Sequence, residues 1–173
     1  MSCVDLARHF RLGPDGTQDP AVFQGMLDRA ARARTAEARG EKPSSWPVFP
    51  DTIEQARALG GEYGAEGFEY YRTPRAHHPR AATSLTWTSV DKPATFDAFA
   101  PIPLIGPRPV LMIAGTRAVT KWMAVEAFQR TVGPKEFAWI EGASHNDLYD
   151  RPQYVGPAIE RLAEFFAKNL AAG

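Results

Sequence analysis

The stretch Pro109-Val110-Leu111-Met112-Ile113-Ala114-Gly115 is an unbroken apolar run closed by a glycine. A run of that length without alternation implies a strand covered on both faces, as in a parallel sheet, since a half-exposed strand would alternate apolar and polar residues. Downstream, Lys121 to Val132 carries Trp122, Met123, Val125, Ala127 and Phe128 and is closed by Gly133-Pro134, which reads as a helix. Phe137-Ala138-Trp139-Ile140 supplies the next strand. Pro157 to Leu170 supplies a final helix with Ile159, Leu162, Ala163, Phe165, Phe166 and Leu170 on one face. Strand, helix, strand, helix in that order predicts an α/β fold, a parallel sheet with flanking helices.

Upstream of about Thr88 the chain has a different character. From an Asp19-Pro20 start, Val22, Phe23, Met26, Leu27, Ala30, Ala31 and Ala33 recur at helical spacing as far as Gly40. The arginines of its second half are offset by Glu37 and Glu41, so this is a solvated helix face. Lys42 to Thr52, with three prolines, reads as an extended surface connection that ends on an N-cap at Asp51 or Thr52. A short helix over Ile53–Leu59 follows, closed by Gly60-Gly61. Tyr63, Phe68, Tyr70 and Tyr71 then precede the basic stretch Arg72 to Arg80. Aromatics mixed with arginines can form a platform for single-stranded nucleic acid, but the balanced charge of the chain favours packing against a neighbouring element.

The chain has 173 residues, 20 basic and 20 acidic, and a formal net charge of zero, which disfavours a polyanion or anionic membrane as partner. Hydrophobic residues make up 44%, enough at this length for one core and a single domain over residues 1–173. Within it, residues 1–100 form a helical, cap-like connecting region and residues 101–173 carry the final strands and helices. No apolar run reaches the roughly 18 residues of a membrane span, and the N-terminus lacks the apolar stretch of a secretory signal, so a cytoplasmic protein is expected. The single cysteine, Cys3, can form no disulfide within the chain and reads as a buried structural thiol at the end of a short strand, Ser2-Cys3-Val4. His77-His78 lack a third ligand in any metal-binding spacing. No metal and no cofactor are expected.

In open parallel sheets, chemistry collects in the loops that leave the carboxyl ends of the strands. Two loops qualify, Gly115 to Thr120 and Glu141 to Asp150, and the second contains His145. An imidazole titrates near neutrality and can relay a proton between a nucleophile and a leaving group. Gly142-Ala143-Ser144-His145-Asn146-Asp147-Leu148-Tyr149-Asp150 is preceded by Arg108 to Gly115 and followed by Tyr154-Val155 and Glu164-Phe165-Phe166. Together they resemble the C-terminal part of α/β-hydrolases of the dienelactone hydrolase-like group. Tyr70 to Arg75 and Phe96 to Phe99 resemble the same group's segment before the last strands, so the resemblance covers nearly the whole chain. It implies the C-terminal part of an α/β-hydrolase fold, with His145 as the catalytic histidine.

The family's nucleophile sits in a Gly-x-Ser-x-Gly elbow. No such pentapeptide occurs here, and Ser144, at the histidine loop without a closing glycine, is a poor substitute. The expectation is therefore a chain that starts after the elbow, with Val4 near the strand that follows it. For the acid, the loop Thr116-Arg117-Ala118-Val119-Thr120 offers no carboxylate. Asp5 is the chosen partner of His145, with Asp147 and Asp150 as loop or helix caps. The resemblance implies an ester, thioester or lactone hydrolase, or an acyltransferase, acting on a small-molecule acyl or ester substrate. Its nucleophile would come from a complementing N-terminal half, and a homo-oligomer is the other expected assembly. The alternatives are a truncated or non-catalytic interaction module, and a non-hydrolytic, cyclase-type pocket that needs only acid and base groups.

Overall fold

A computed structural model describes residues 5–170 other than Thr83. The strand expected at Ser2-Cys3-Val4, with Cys3, lies outside the described residues. The chain divides into two compact units, one formed by residues 6–96 and the other by Asp5 with residues 97–170.

The first unit is mostly helical: α1 (Leu6–Leu12), α2 (Pro20–Ala38), α3 (Ile53–Tyr71) and the short α4 (Asp91–Thr95). Asp19 caps α2, its carboxylate accepting the Ala21 N–H at 2.8 Å, and Pro20 fills the first helical position where no N–H is needed. The buried side chains are small: Ala7, Ala30, Ala33, Ala56, Ala65, Val90 and Ala94. Larger aromatics pair with one another, Trp46 with Trp87 at 5.7 Å and Phe49 with Tyr71 at 5.0 Å between ring centres.

The first run of α3 leaves helical geometry at Gly60-Gly61, as expected, with Gly61 at φ +57°. Only glycine adopts that backbone without strain, so the pair kinks the chain between two helical runs. Two features go beyond the sequence reading, and the first is that helical turns resume after the pair as far as Tyr71. The connection after Lys42 is not all loop: β1 (Ser45–Pro47) pairs antiparallel with β2 (Ser84–Thr86).

The second unit carries the expected α/β order: β3 (Val110–Gly115), α5 (Lys121–Arg130), β4 (Lys135–Ile140), the single turn α6 (Asp147–Asp150) and α7 (Pro152–Leu170). β3 and β4 are parallel, registered from Val110 opposite Lys135 to Gly115 opposite Ile140. The apolar run of β3 is covered on both sides, as its lack of alternation requires. Met112 packs with Phe99, Ile102, Met123 and Ala127 of α5. Ile113 packs on the opposite face with Ala138, Ile140 and Ala143, and Leu162 and Ala158 of α7 close over them. Each fully buried Met, Ile or Phe among them stabilises by about 1.5–3 kcal/mol, and the alanines by less.

The final helix begins at Pro152, more than a turn before the expected start at Pro157. Both prolines suit a first helical position, and Pro152 holds it. Pro157 sits inside the helix behind Gly156, whose missing Cβ relieves part of the crowding a proline imposes on its predecessor. Among the described residues no helix is long and apolar enough to cross a membrane.

Glu136 of β4 ties α7 to the sheet, with Lys168 Nζ at 2.8 Å and Arg161 at 3.8 Å. The hydrogen bond from Lys168 holds the Glu136 carboxyl below its ordinary value, and the charges of Lys168 and Arg161 add to this against an opposing effect of desolvation. A lowered folded-state value means that the stabilisation is present above the unfolded value near 4.5 and lost as pH falls through the folded one. Thermal melts should therefore show Glu136→Gln and wild type converging once the pH is well below the folded value, and separate once it is above the unfolded value near 4.5. Equal separation in both pH ranges would exclude the linkage.

Candidate active site

The carboxyl ends of β3 and β4 are stitched together by their own loops. Thr116 N–H donates to the Ile140 carbonyl at 3.1 Å, Arg117 N–H to the Ala143 carbonyl at 3.0 Å, and Gly142 N–H to Thr116 Oγ1 at 2.9 Å. Gly142 turns the chain at φ +73°, a conformation that favours glycine. Gly115 is required for a different reason. A Cβ there would run into the Ala143 carbonyl oxygen and lie 2.9 Å from the Ala143 Cβ, so only a bare Cα lets the histidine loop come this close.

That loop buries His145, which is 7% exposed, together with Asn146 at 4%. Both ring nitrogens are engaged by hydroxyls. Nδ1 lies 3.0 Å from Thr120 Oγ1 and Nε2 lies 2.7 Å from the Tyr149 hydroxyl. Tyr149 also meets the imidazole edge to face, with ring centres 5.5 Å apart.

Thr120, 1% exposed, stands at the N-cap of α5, where a threonine side chain ordinarily accepts from the first turn. No such cap bond forms here. The hydroxyl is directed to the histidine instead, and α5 forgoes a cap that is typically worth about 1 kcal/mol. Tyr149 is the opposite case: it is 46% exposed, on the single turn α6. Swinging its hydroxyl off Nε2 would cost about one ordinary hydrogen bond, roughly 0.5–1.5 kcal/mol, so the contact is readily exchanged for another.

Of the residues singled out from the sequence, Asp5 is fully buried and belongs to the same compact unit as His145. Ser144 and Asp147 bond to each other. Ser144 N–H donates to Asp147 Oδ2 at 3.1 Å, and Asp147 N–H to Ser144 Oγ at 3.4 Å, a reciprocal pair that closes the loop leading into the turn that carries Tyr149. His77 and His78, in the other unit, make local backbone bonds: His77 Nδ1 lies 3.4 Å from the Tyr71 carbonyl, and His78 Nδ1 accepts from Arg80 N–H at 3.1 Å. Among the described residues no group of three or more His, Cys, Asp or Glu could hold a metal ion.

Sequence reasoning missed Thr120 and Tyr149. From the sequence, the loop that ends at Thr120 reads only as offering no carboxylate, and its hydroxyl does not stand out as a partner of the histidine. Tyr149 follows His145 at the i,i+4 spacing that brings side chains together on one helical turn.

No family model matches the chain. It is 30% identical over 171 residues to the uncharacterised protein YcjY of Escherichia coli strain K12, an alignment covering 98% of this chain and 55% of that protein. Its structure is similar to that of the hypothetical protein PA2218 from Pseudomonas aeruginosa, with TM-score 0.81 and 28% identity over 96% of this chain and 51% of that one. It also resembles the α/β-hydrolase GrgF from Penicillium sp. sh18, with TM-score 0.67 and 20% identity over 91% and 53% of the two chains. The chain spans about half the length of these relatives. The fold is that of the α/β-hydrolases, and the parallel pair β3–β4 with its helices is a part of it.

Proposed function

We propose that the chain contributes the proton-transfer half of an acyl-transfer site: an ester, thioester or lactone hydrolase, or a related acyltransferase, of the dienelactone hydrolase-like group. The observation that carries this reading is the buried His145, held at Nδ1 by Thr120 with Nε2 turned to the half-exposed Tyr149. In this reading Nε2 takes the proton of an attacking hydroxyl and returns it to the leaving group. A hydroxyl oxygen attacking from a hydrogen-bonded position would lie about where the Tyr149 oxygen lies, so Tyr149 gives way as the nucleophile arrives. Asp5, fully buried in the same compact unit, is the residue assigned to stabilise the imidazolium formed in that step.

The chain contains no Gly-x-Ser-x-Gly. The serine and the oxyanion-hole donors are therefore assigned to a complementing polypeptide, or to further sequence of the same protein. The substrate is a small-molecule acyl ester or thioester, and no cofactor enters the reaction. The test is turnover of a chromogenic acyl ester by the chain alone and combined with a polypeptide bearing the elbow. We expect no turnover above buffer from the chain alone and saturable turnover from the combination. Saturable turnover from the chain alone, or none from the combination, would refute the reading.

A second reading, proton transfer to and from a bound substrate without an acyl-enzyme, is favoured by the pairing of His145 with two hydroxyls and by the lack of a carboxylate in the loop after β3. Under it, activity would resist serine-directed acylating agents.

A further inference from the structure

The structure assigns Thr120 the role of positioning residue for His145: its hydroxyl fixes which nitrogen of the ring carries the proton. This rests on the reading of His145 as the proton-transfer group and deepens it. A neutral imidazole has one N–H and one lone pair, while the threonine and tyrosine hydroxyls can each donate or accept, so two arrangements satisfy the chain Thr120–His145–Tyr149.

The distances separate them. Bonds donated by a hydroxyl are shorter than those donated by an N–H, with modes near 2.7–2.8 Å for O–H···O and about 2.9–3.0 Å for N–H···O, and we apply the same ordering to a hydroxyl donating to a ring nitrogen. The 2.7 Å contact at Nε2 fits the Tyr149 O–H donating to a lone pair, and the 3.0 Å contact at Nδ1 fits an imidazole N–H donating to Thr120 Oγ1. Nδ1–H with an accepting Nε2 is the tautomer a general base requires, and a triad carboxylate imposes it because it can only accept. Thr120 imposes it as a neutral acceptor from the loop after β3. The diverted N-cap supports this: Thr120 is 1% exposed, and its hydroxyl makes no cap bond with α5 and lies 3.0 Å from Nδ1 of the ring.

The test is long-range 1H–15N correlation of the histidine rings in the whole chain, whose 4 histidines are separated by comparison with His145→Gln. The neutral ring of His145 should be predominantly the Nδ1–H form. Thr120→Val, isosteric but without a hydroxyl, should move the tautomer ratio by roughly fivefold or more toward Nε2–H, the equivalent of one ordinary hydrogen bond. Thr120→Ser should restore the wild-type ratio. A wild-type ring dominated by Nε2–H overturns the assignment with no variant needed, and so does a folded Thr120→Val with an unchanged ratio. These outcomes do not depend on turnover. Should His145→Gln leave ester turnover intact, the base assignment fails while the tautomer assignment is judged by its own spectrum.

Discussion

His145→Gln is expected to lower ester turnover by the combined, elbow-bearing system by roughly 10²- to 10⁴-fold, the usual contribution of a positioned general base. The effect should fall on kcat and on kcat/KM alike, because the imidazole takes charge only as the transition state forms and adds little to ground-state binding. Glutamine keeps polar atoms near Thr120 and Tyr149 but cannot accept and return a proton near neutrality. The loss should therefore come without loss of the fold, and thermal melts of the two chains should differ by a few degrees at most. A variant that retained more than about a tenth of the turnover would remove His145 from the mechanism.

Gly115→Ala is expected to have the largest effect on stability. A methyl group there would strike the carbonyl of Ala143 and lie 2.7 Å from its carbonyl carbon. These are backbone atoms that cannot rotate away, so either β3 or the histidine loop must shift. Overpacking of this kind costs about 3 kcal/mol, or roughly 6–12 °C in thermal midpoint for a domain of this size. The shift should also separate Thr120 from His145, because their two loops are held together across Gly115. Gly25→Ala in α2 is the control: nothing lies within 4 Å of its added Cβ, and alanine should leave the midpoint unchanged or raise it slightly. Equal midpoints for Gly115→Ala and wild type would show that the close approach of strand and loop carries no energy.

The α/β half of the fold could be read from the sequence because its signals are local. The run Pro109 to Ala114 does not alternate because both of its faces are covered, by α5 and by α7. Gly133-Pro134 and the glycines at 115 and 142 mark the turns between elements. The pairing of Ser45–Pro47 with Ser84–Thr86 was not legible, because these short strands are mostly exposed and bury no alternating face that would set a pattern. Gly60-Gly61 interrupts the helix from Ile53 as glycines usually do, but nothing local says that helical turns resume after it.

The site divides in the same way. His145 stands out by residue type and by its place after a strand, whereas Thr120 has the look of an ordinary helix cap. Only its position opposite Nδ1 shows that the cap has been given up for the histidine.

If His145 activates a nucleophile supplied from outside the described residues, labelling of the elbow serine by a fluorophosphonate probe will depend on it. This measurement needs no knowledge of the substrate, because the probe reacts only with a serine whose proton is being withdrawn. Strong labelling is expected when the elbow-bearing polypeptide is combined with this chain, and labelling at least roughly 100-fold slower when the chain carries His145→Gln. Labelling at the same rate with either chain would contradict the role given to His145.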